Sequence, residues 1–100
     1  MKLKKNVRLT GIRPELMIAI IVANDVYDTY NKELVLTSVL DGTHSNLSLH
    51  YAGCAFDCRT RYFDYSTVRD VAKDIRSKLT KDFDVVIEPS HLHIEFQPRK

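Results

Sequence analysis

The stretch His91-Leu92-His93-Ile94-Glu95-Phe96 alternates strictly between polar and apolar residues. Successive side chains of a strand point to opposite faces. The alternation therefore predicts a strand with Leu92, Ile94 and Phe96 on a buried face and His91, His93 and Glu95 on the other. Such a strand belongs to a sheet with one covered face and one open face, the open one carrying two imidazoles and a carboxylate.

The rest of the chain supplies the cover. Pro14 suits the first turn of a helix, where it has no N–H to lose. From Glu15 to about Tyr30, Leu16, Ile20, Ala23, Tyr27 and Tyr30 recur at helical spacing, and Asn31 ends the segment. Met17, Ile18, Ile21 and Val22 make its early turns apolar nearly all round, which predicts a largely buried helix. Residues 34–40 are rich in β-branched side chains and read as a strand. Asp41-Gly42 is a turn signal, a polar loop covers 41–47, and 53–59 reads as a second strand. Thr67 and Asp70 form a capping box for a helix over 67–80, with Val68, Val71, Ala72, Ile75 and Leu79 on one face. Residues 83–87 read as a third strand, and Pro89-Ser90 breaks the chain before the alternating fourth, so the last two pair as a hairpin. The order predicts an α+β domain: a small, mainly antiparallel sheet with two helices packed on it. One hundred residues make a single domain. Residues 1–9, with Lys2, Lys4, Lys5 and Arg8, read as a basic, solvated tail.

A net charge of +2 gives no reason to expect a nucleic-acid or anionic-membrane partner. No apolar run approaches the ~20 residues of a membrane span. The run from Leu16 to Ala23 behind basic residues loosely imitates a secretion signal. Pro14-Glu15 at its start and Asn24-Asp25 after it do not suit one, so a cytoplasmic location as synthesised is expected. Cys54 and Cys58, four apart on an extended segment, would be separated by ~13 Å, beyond the ~7 Å a disulfide tolerates. Free thiols suit a reducing compartment. A monomer is expected.

The chemistry concentrates in Ser48-Leu49-His50-Tyr51-Ala52-Gly53-Cys54-Ala55-Phe56-Asp57 and in Glu88-Pro89-Ser90-His91-Leu92-His93. A catalytic zinc takes three protein ligands, for which His nitrogen and carboxylate oxygen suffice, and keeps a fourth position open. His50 and Asp57 reach one ion if the chain turns at Tyr51-Ala52-Gly53, where Gly53 permits unusual backbone angles. Ala55 lies on the face of Asp57 and leaves room beside the metal. Cys54 and Cys58 point away from it. A third ligand comes from His91 or His93, between which the residues alone do not choose. A carboxylate such as Glu88 is the type of group that takes a proton from an activated water.

The pattern Ser48-x-His50-x-x-Gly53-x-Ala55-x-Asp57 resembles the motif of the M15 family of zinc metallopeptidases. These include D-alanyl-D-alanine carboxypeptidases and L-alanyl-D-glutamate endolysins, with a fold shared by the hedgehog signalling domain. His91-Leu92-His93-Ile94-Glu95 is similar to that family's terminal His-x-His strand, and the resemblance spans roughly residues 12–97. It implies zinc on His50, Asp57 and His93, with Glu88 as general base. It also implies that His91 binds the substrate carbonyl or its oxyanion and that Ser48 orients the substrate. Many members carry Ser-Gly-Tyr-Arg on the strand before the first motif, whose Arg holds a substrate carboxylate; this chain has Thr37-Ser38-Val39-Leu40 there. Arg59, Arg61 and Arg13 are the available substitutes, and Arg59 is taken as substrate-binding.

The function implied is zinc-dependent hydrolysis of peptidoglycan stem peptides, at a D-Ala-D-Ala or an L-Ala-D-Glu bond. The enzyme would act on the cell wall after release and suits a phage-encoded protein. The alternative is a metal-binding or virion-associated module on the same fold without useful turnover.

Overall fold

The computed structural model describes residues 1–40 and 54–97. Its elements are β1 (Lys2–Leu3), α1 (Pro14–Thr29), β2 (Val35–Leu40), β3 (Cys54–Arg59), α2 (Tyr65–Lys78), β4 (Phe83–Ile87) and β5 (His91–Phe96). The strands form one mixed five-stranded sheet in the order β1-β2-β3-β5-β4. All its neighbouring pairs are antiparallel except β1 with β2. The domain is therefore α+β, with a mainly antiparallel sheet and two helices, as the element order predicts.

The period-2 pattern decides which sheet face is covered. Cys54, Phe56 and Cys58 of β3 and Leu92, Ile94 and Phe96 of β5 are buried in one core with both helices. α1 contributes Leu16, Ala19, Ile20, Ala23, Val26 and Tyr27 to it, and α2 contributes Val68, Val71, Ala72 and Ile75, the three-and-four spacing of a helix face. Both cysteines are buried and neither is in a disulfide, and burial pushes the Cys58 thiol pKa up, helped by the nearby Asp57 charge.

α1 ends in a Schellman motif. Asn31 takes a φ of 59°, its N–H donates to Asp28 O, and Lys32 N–H donates to Tyr27 O. The buried Tyr27 hydroxyl donates to Arg59 O at 2.9 Å, tying this helix to the end of β3. Tyr30 reaches across to Asp74 Oδ2 on α2 at 2.6 Å.

Three expectations are corrected. Residues 1–9 are not a free tail: Lys2 and Lys4 donate backbone hydrogen bonds to Leu34 and Leu36 at 2.8 and 2.9 Å. Leu3, Val7 and Leu9 pack against the core. Apolar anchors between the basic residues hold the segment, an effect that its charge alone does not reveal. α1 is not buried all round, since Ile18 and Ile21 are 58% and 56% exposed. A helix laid on one sheet face presents its opposite stripe outward, whatever residues stand there. α2 begins before Thr67, at Tyr65, and its cap is Asp64. Asp64 Oδ1 accepts from Thr67 N–H at 2.8 Å and from the Ser66 hydroxyl at 3.0 Å, which holds its pKa below the usual carboxylate range.

Candidate functional site

The open face of the sheet brings together residues far apart in sequence. In the β3–β5 register Asp57 faces His93, Arg59 faces His91 and Ala55 faces Glu95. The next strands extend the central row, with Ser38 opposite Asp57 and Val86 opposite His93. Because directly opposed residues share a face, the row Ser38–Asp57–His93–Val86 runs across four strands. The β2–β3 register shifts between Leu36 and Ser38, and this irregularity sets Ser38 rather than Thr37 beside Asp57.

Side-chain geometry completes the cluster. His93 Nδ1 lies 2.8 Å from Asp57 Oδ1, and His93 Nε2 lies 3.0 Å from Glu95 Oε1. Ionised carboxylates only accept, so an imidazolium, donating from both ring nitrogens, is the form that satisfies both contacts. Burial alone would lower the His93 pKa. The hydrogen bonds to Glu95 and Asp57, with their charges, outweigh it, and the pKa is raised. Burial would raise the Glu95 pKa, and hydrogen bonds from His93 and Gln97 outweigh it in the other direction. The Gln97 side-chain amide donates to Glu95 Oε2. His91 sits at the edge of the cluster, its Nε2 3.6 Å from Asp57 Oδ2 and its Nδ1 3.1 Å from Ser90 Oγ.

These shifts fix the pH behaviour of the metal-free protein. A raised His93 pKa contributes stability that is full below about 6.5 and is lost as pH rises through the folded-state value. A lowered Glu95 pKa contributes stability present above about 4.3 and lost as pH falls through its folded value. The urea midpoint of metal-free protein is expected to fall as pH rises above about 6.5. His93→Gln should flatten that alkaline limb, and an unchanged limb in the variant would remove His93 as its source.

The donor set fits zinc in kind, being imidazole nitrogen and carboxylate oxygen. Two donors at ~2.0–2.1 Å on a tetrahedral ion stand about 3.3 Å apart. Asp57 Oδ1 and His93 Nδ1, 2.8 Å apart as hydrogen-bond partners, would part by roughly half an ångström to share one. Among the described residues, no three His, Cys, Asp or Glu side chains are placed to hold an ion. The third expected ligand, His50, and the expected substrate-orienting Ser48 lie outside the described residues.

Of the other expected residues, Glu88 stands at the end of β4, its N–H donating to His91 O at 2.9 Å. It lines a cavity with Ser90. Arg59 holds the register position opposite His91. Arg13 is on the helix side, 3.7 Å from Glu15 and 5.8 Å from the Phe96 ring centre, and so does not supply the open face. Glu95 has no role in the sequence motif, although the alternation that places His93 on the open face places Glu95 beside it. A cavity of about 480 Å³ at the β1–β2 edge, lined by Lys4, Lys5, Arg8, Thr37 and Ser38 among others, does not follow from a tail over residues 1–9. Among the described residues, no helix is long and apolar enough to cross a membrane.

Compared with protein-family models, curated proteins and solved structures, the chain matches none of them.

Proposed function

We propose that this protein is a zinc-dependent peptidase of the M15 type, on a hedgehog-like fold, that hydrolyses peptidoglycan stem peptides. The observation that carries the reading is the direct opposition of Asp57 and His93, residues 36 apart in sequence, with side chains in contact on the open sheet face. His91 stands within 3.6 Å of the same carboxylate.

His50, Asp57 and His93 are the zinc ligands in this reading. The partners of the two histidines favour His93 over His91 for that role. A metal-binding imidazole characteristically donates its second N–H to a carboxylate, which fixes the ring and raises its basicity. Glu95 stands in that position behind His93, whereas the second nitrogen of His91 meets the Ser90 hydroxyl. When bound, zinc lowers the pKa of a coordinated water toward ~7 and polarises the scissile carbonyl. Glu88 takes the proton from the attacking water and returns it to the leaving amine. His91 donates to the carbonyl oxygen as negative charge develops on it. Ser48 and Arg59 position the substrate. The natural setting would be the bacterial cell wall, reached after release of a phage-encoded protein, which acts as a monomer.

One observation favours a second reading, a metal-binding or virion-associated module with little turnover. Both His93 nitrogens are already satisfied by carboxylates, so the cluster is chemically complete as a structural element. Digestion of purified stem peptides with the zinc-loaded chain, read by mass spectrometry, separates the two. Release of a terminal D-alanine, or scission between L-alanine and D-glutamate, is expected for the peptidase. Bound zinc with intact peptides would transfer the site to the second reading.

A further inference from the structure

We infer that the cavity at the β1–β2 edge binds the phosphate group of an anionic ligand, held by Lys4, Lys5 and Arg8 with the hydroxyls of Thr10, Thr37 and Ser38. The inference is independent of the peptidase reading and concerns a different part of the sheet.

The backbone explains why a cavity forms there. β1 pairs with β2 only at Lys2–Val35 and Leu3–Leu36. Lys4 N–H still donates to Leu36 O, and the chain then turns, with Val7 N–H donating to Lys4 O at 2.9 Å. Asn6 stands third in that turn with a φ of 72°, a conformation that Asn tolerates better than most residues. The turn carries the chain away from β2. Thr37, Ser38 and Val39 therefore run on beyond β1 and line a space of about 480 Å³ with residues of the turn, a volume within the range of small-ligand sites. The segment is held in place because Leu3, Val7 and Leu9 pack against the core. Lys4, Lys5 and Arg8, between those anchors, are exposed.

The lining has one sign of charge. It includes Lys4, Lys5 and Arg8 and, among the described residues, no Asp or Glu. None of the three cations is in an ion pair with a described residue. Lysine and arginine offer only donors, and the three hydroxyls add more. Three positive charges exceed what one carboxylate, with a single charge and two oxygens, can engage. A phosphate monoester carries up to about two charges on three strong acceptor oxygens and matches the set. Arg8 can meet two of those oxygens at once, with the lysines as point charges beside it. The nearest carboxylate across the sheet does not compete for them. Asp57, opposite Ser38, is engaged by His93 at 2.8 Å and by His91 at 3.6 Å.

The test titrates the full chain with inorganic phosphate, inorganic polyphosphate and acetate at fixed ionic strength, followed by amide NMR shifts. Phosphate and polyphosphate should move the signals of residues 4–10 and 37–39, and acetate should bind more weakly than either. Polyphosphate binding tighter than its number of phosphate groups explains would identify a chain of phosphates as the source of the ligand. Equal affinity per group would identify a small phosphate compound. Both outcomes support the site. Arg8→Gln and Lys5→Gln, which change exposed side chains, should each raise the Kd roughly 5-fold, the upper end for an exposed charge contact. Lys78→Gln removes the same charge at the C-terminal end of α2, outside the cavity lining, and should change the Kd by less than about 2-fold, because solvent and salt screen distant exposed charges. An equal loss in Lys78→Gln would show that binding follows net charge and would overturn the inference. Acetate binding as tightly as phosphate, or no shifts at these residues with either phosphate probe, would overturn it too.

Discussion

Glu88→Gln is expected to keep one zinc bound and to lower stem-peptide hydrolysis by about 10²–10⁴-fold, the usual contribution of a positioned acid–base group. The substitution is nearly isosteric and leaves the backbone N–H of residue 88 free to donate to His91 O, so the β4–β5 turn should persist. What changes is proton affinity, since an amide does not take a proton from water near neutrality. Asp57→Ala is the complementary case. It removes the carboxylate shared by both histidines and should lose the metal together with the activity. Metal content by elemental mass spectrometry, measured beside turnover, separates the two roles. Unchanged turnover in Glu88→Gln would take this residue out of the mechanism. Full zinc occupancy in Asp57→Ala would show that the ion sits elsewhere.

The largest loss of stability is expected from Phe56→Ala. Phe56 is 1% exposed in the middle of β3, opposite Val39 of β2 and Ile94 of β5. Truncating a buried Phe removes its transfer free energy and leaves a cavity, together about 3–5 kcal/mol. Domains of this size are stable by only about 5–15 kcal/mol. At roughly 4–8 °C per kcal/mol for a domain of this length, the melting temperature should fall by more than about 10 °C. Ile18→Ala provides the contrast. Ile18 is 58% exposed on the outer side of α1, and its loss should stay within about 0.5 kcal/mol. Urea and thermal unfolding of the two variants check both figures. A loss below about 1.5 kcal/mol for Phe56→Ala would mean that β3 is not the centre of the core.

These two residues show how far local pattern reaches. The alternation along 91–96 and the β-branched run of 34–40 announce strands because a strand must sort its side chains by face. For the same reason the residue pattern alone divides β3 into core residues Cys54, Phe56 and Cys58 and open-face residues Ala55, Asp57 and Arg59. Helix existence is legible from spacing, and Asn31 as a stop from its tolerance of positive φ. The cap of α2 is not legible in the same way, because Asp64 and Thr67 are both good capping residues and only the observed hydrogen bond distinguishes them.

By itself, then, the amino-acid sequence determined the order of the elements from α1 onward, the α+β class and the shared face of His91, His93 and Glu95. It did so because helical and strand periodicities are local properties of the chain. Tertiary structure alone decided the rest. Pairing β3 with β5 in one particular register sets Asp57 against His93 and not against a neighbour two residues away. The shift in β2 brings Ser38 into that row, and the edge pairing of β1 turns an apparent tail into part of the sheet. The contact of Glu95 with His93 and the cavity that Glu88 and Ser90 line also belong to this level. Both depend on contacts between segments whose approach follows from how the whole core packs, which no single stretch of sequence encodes.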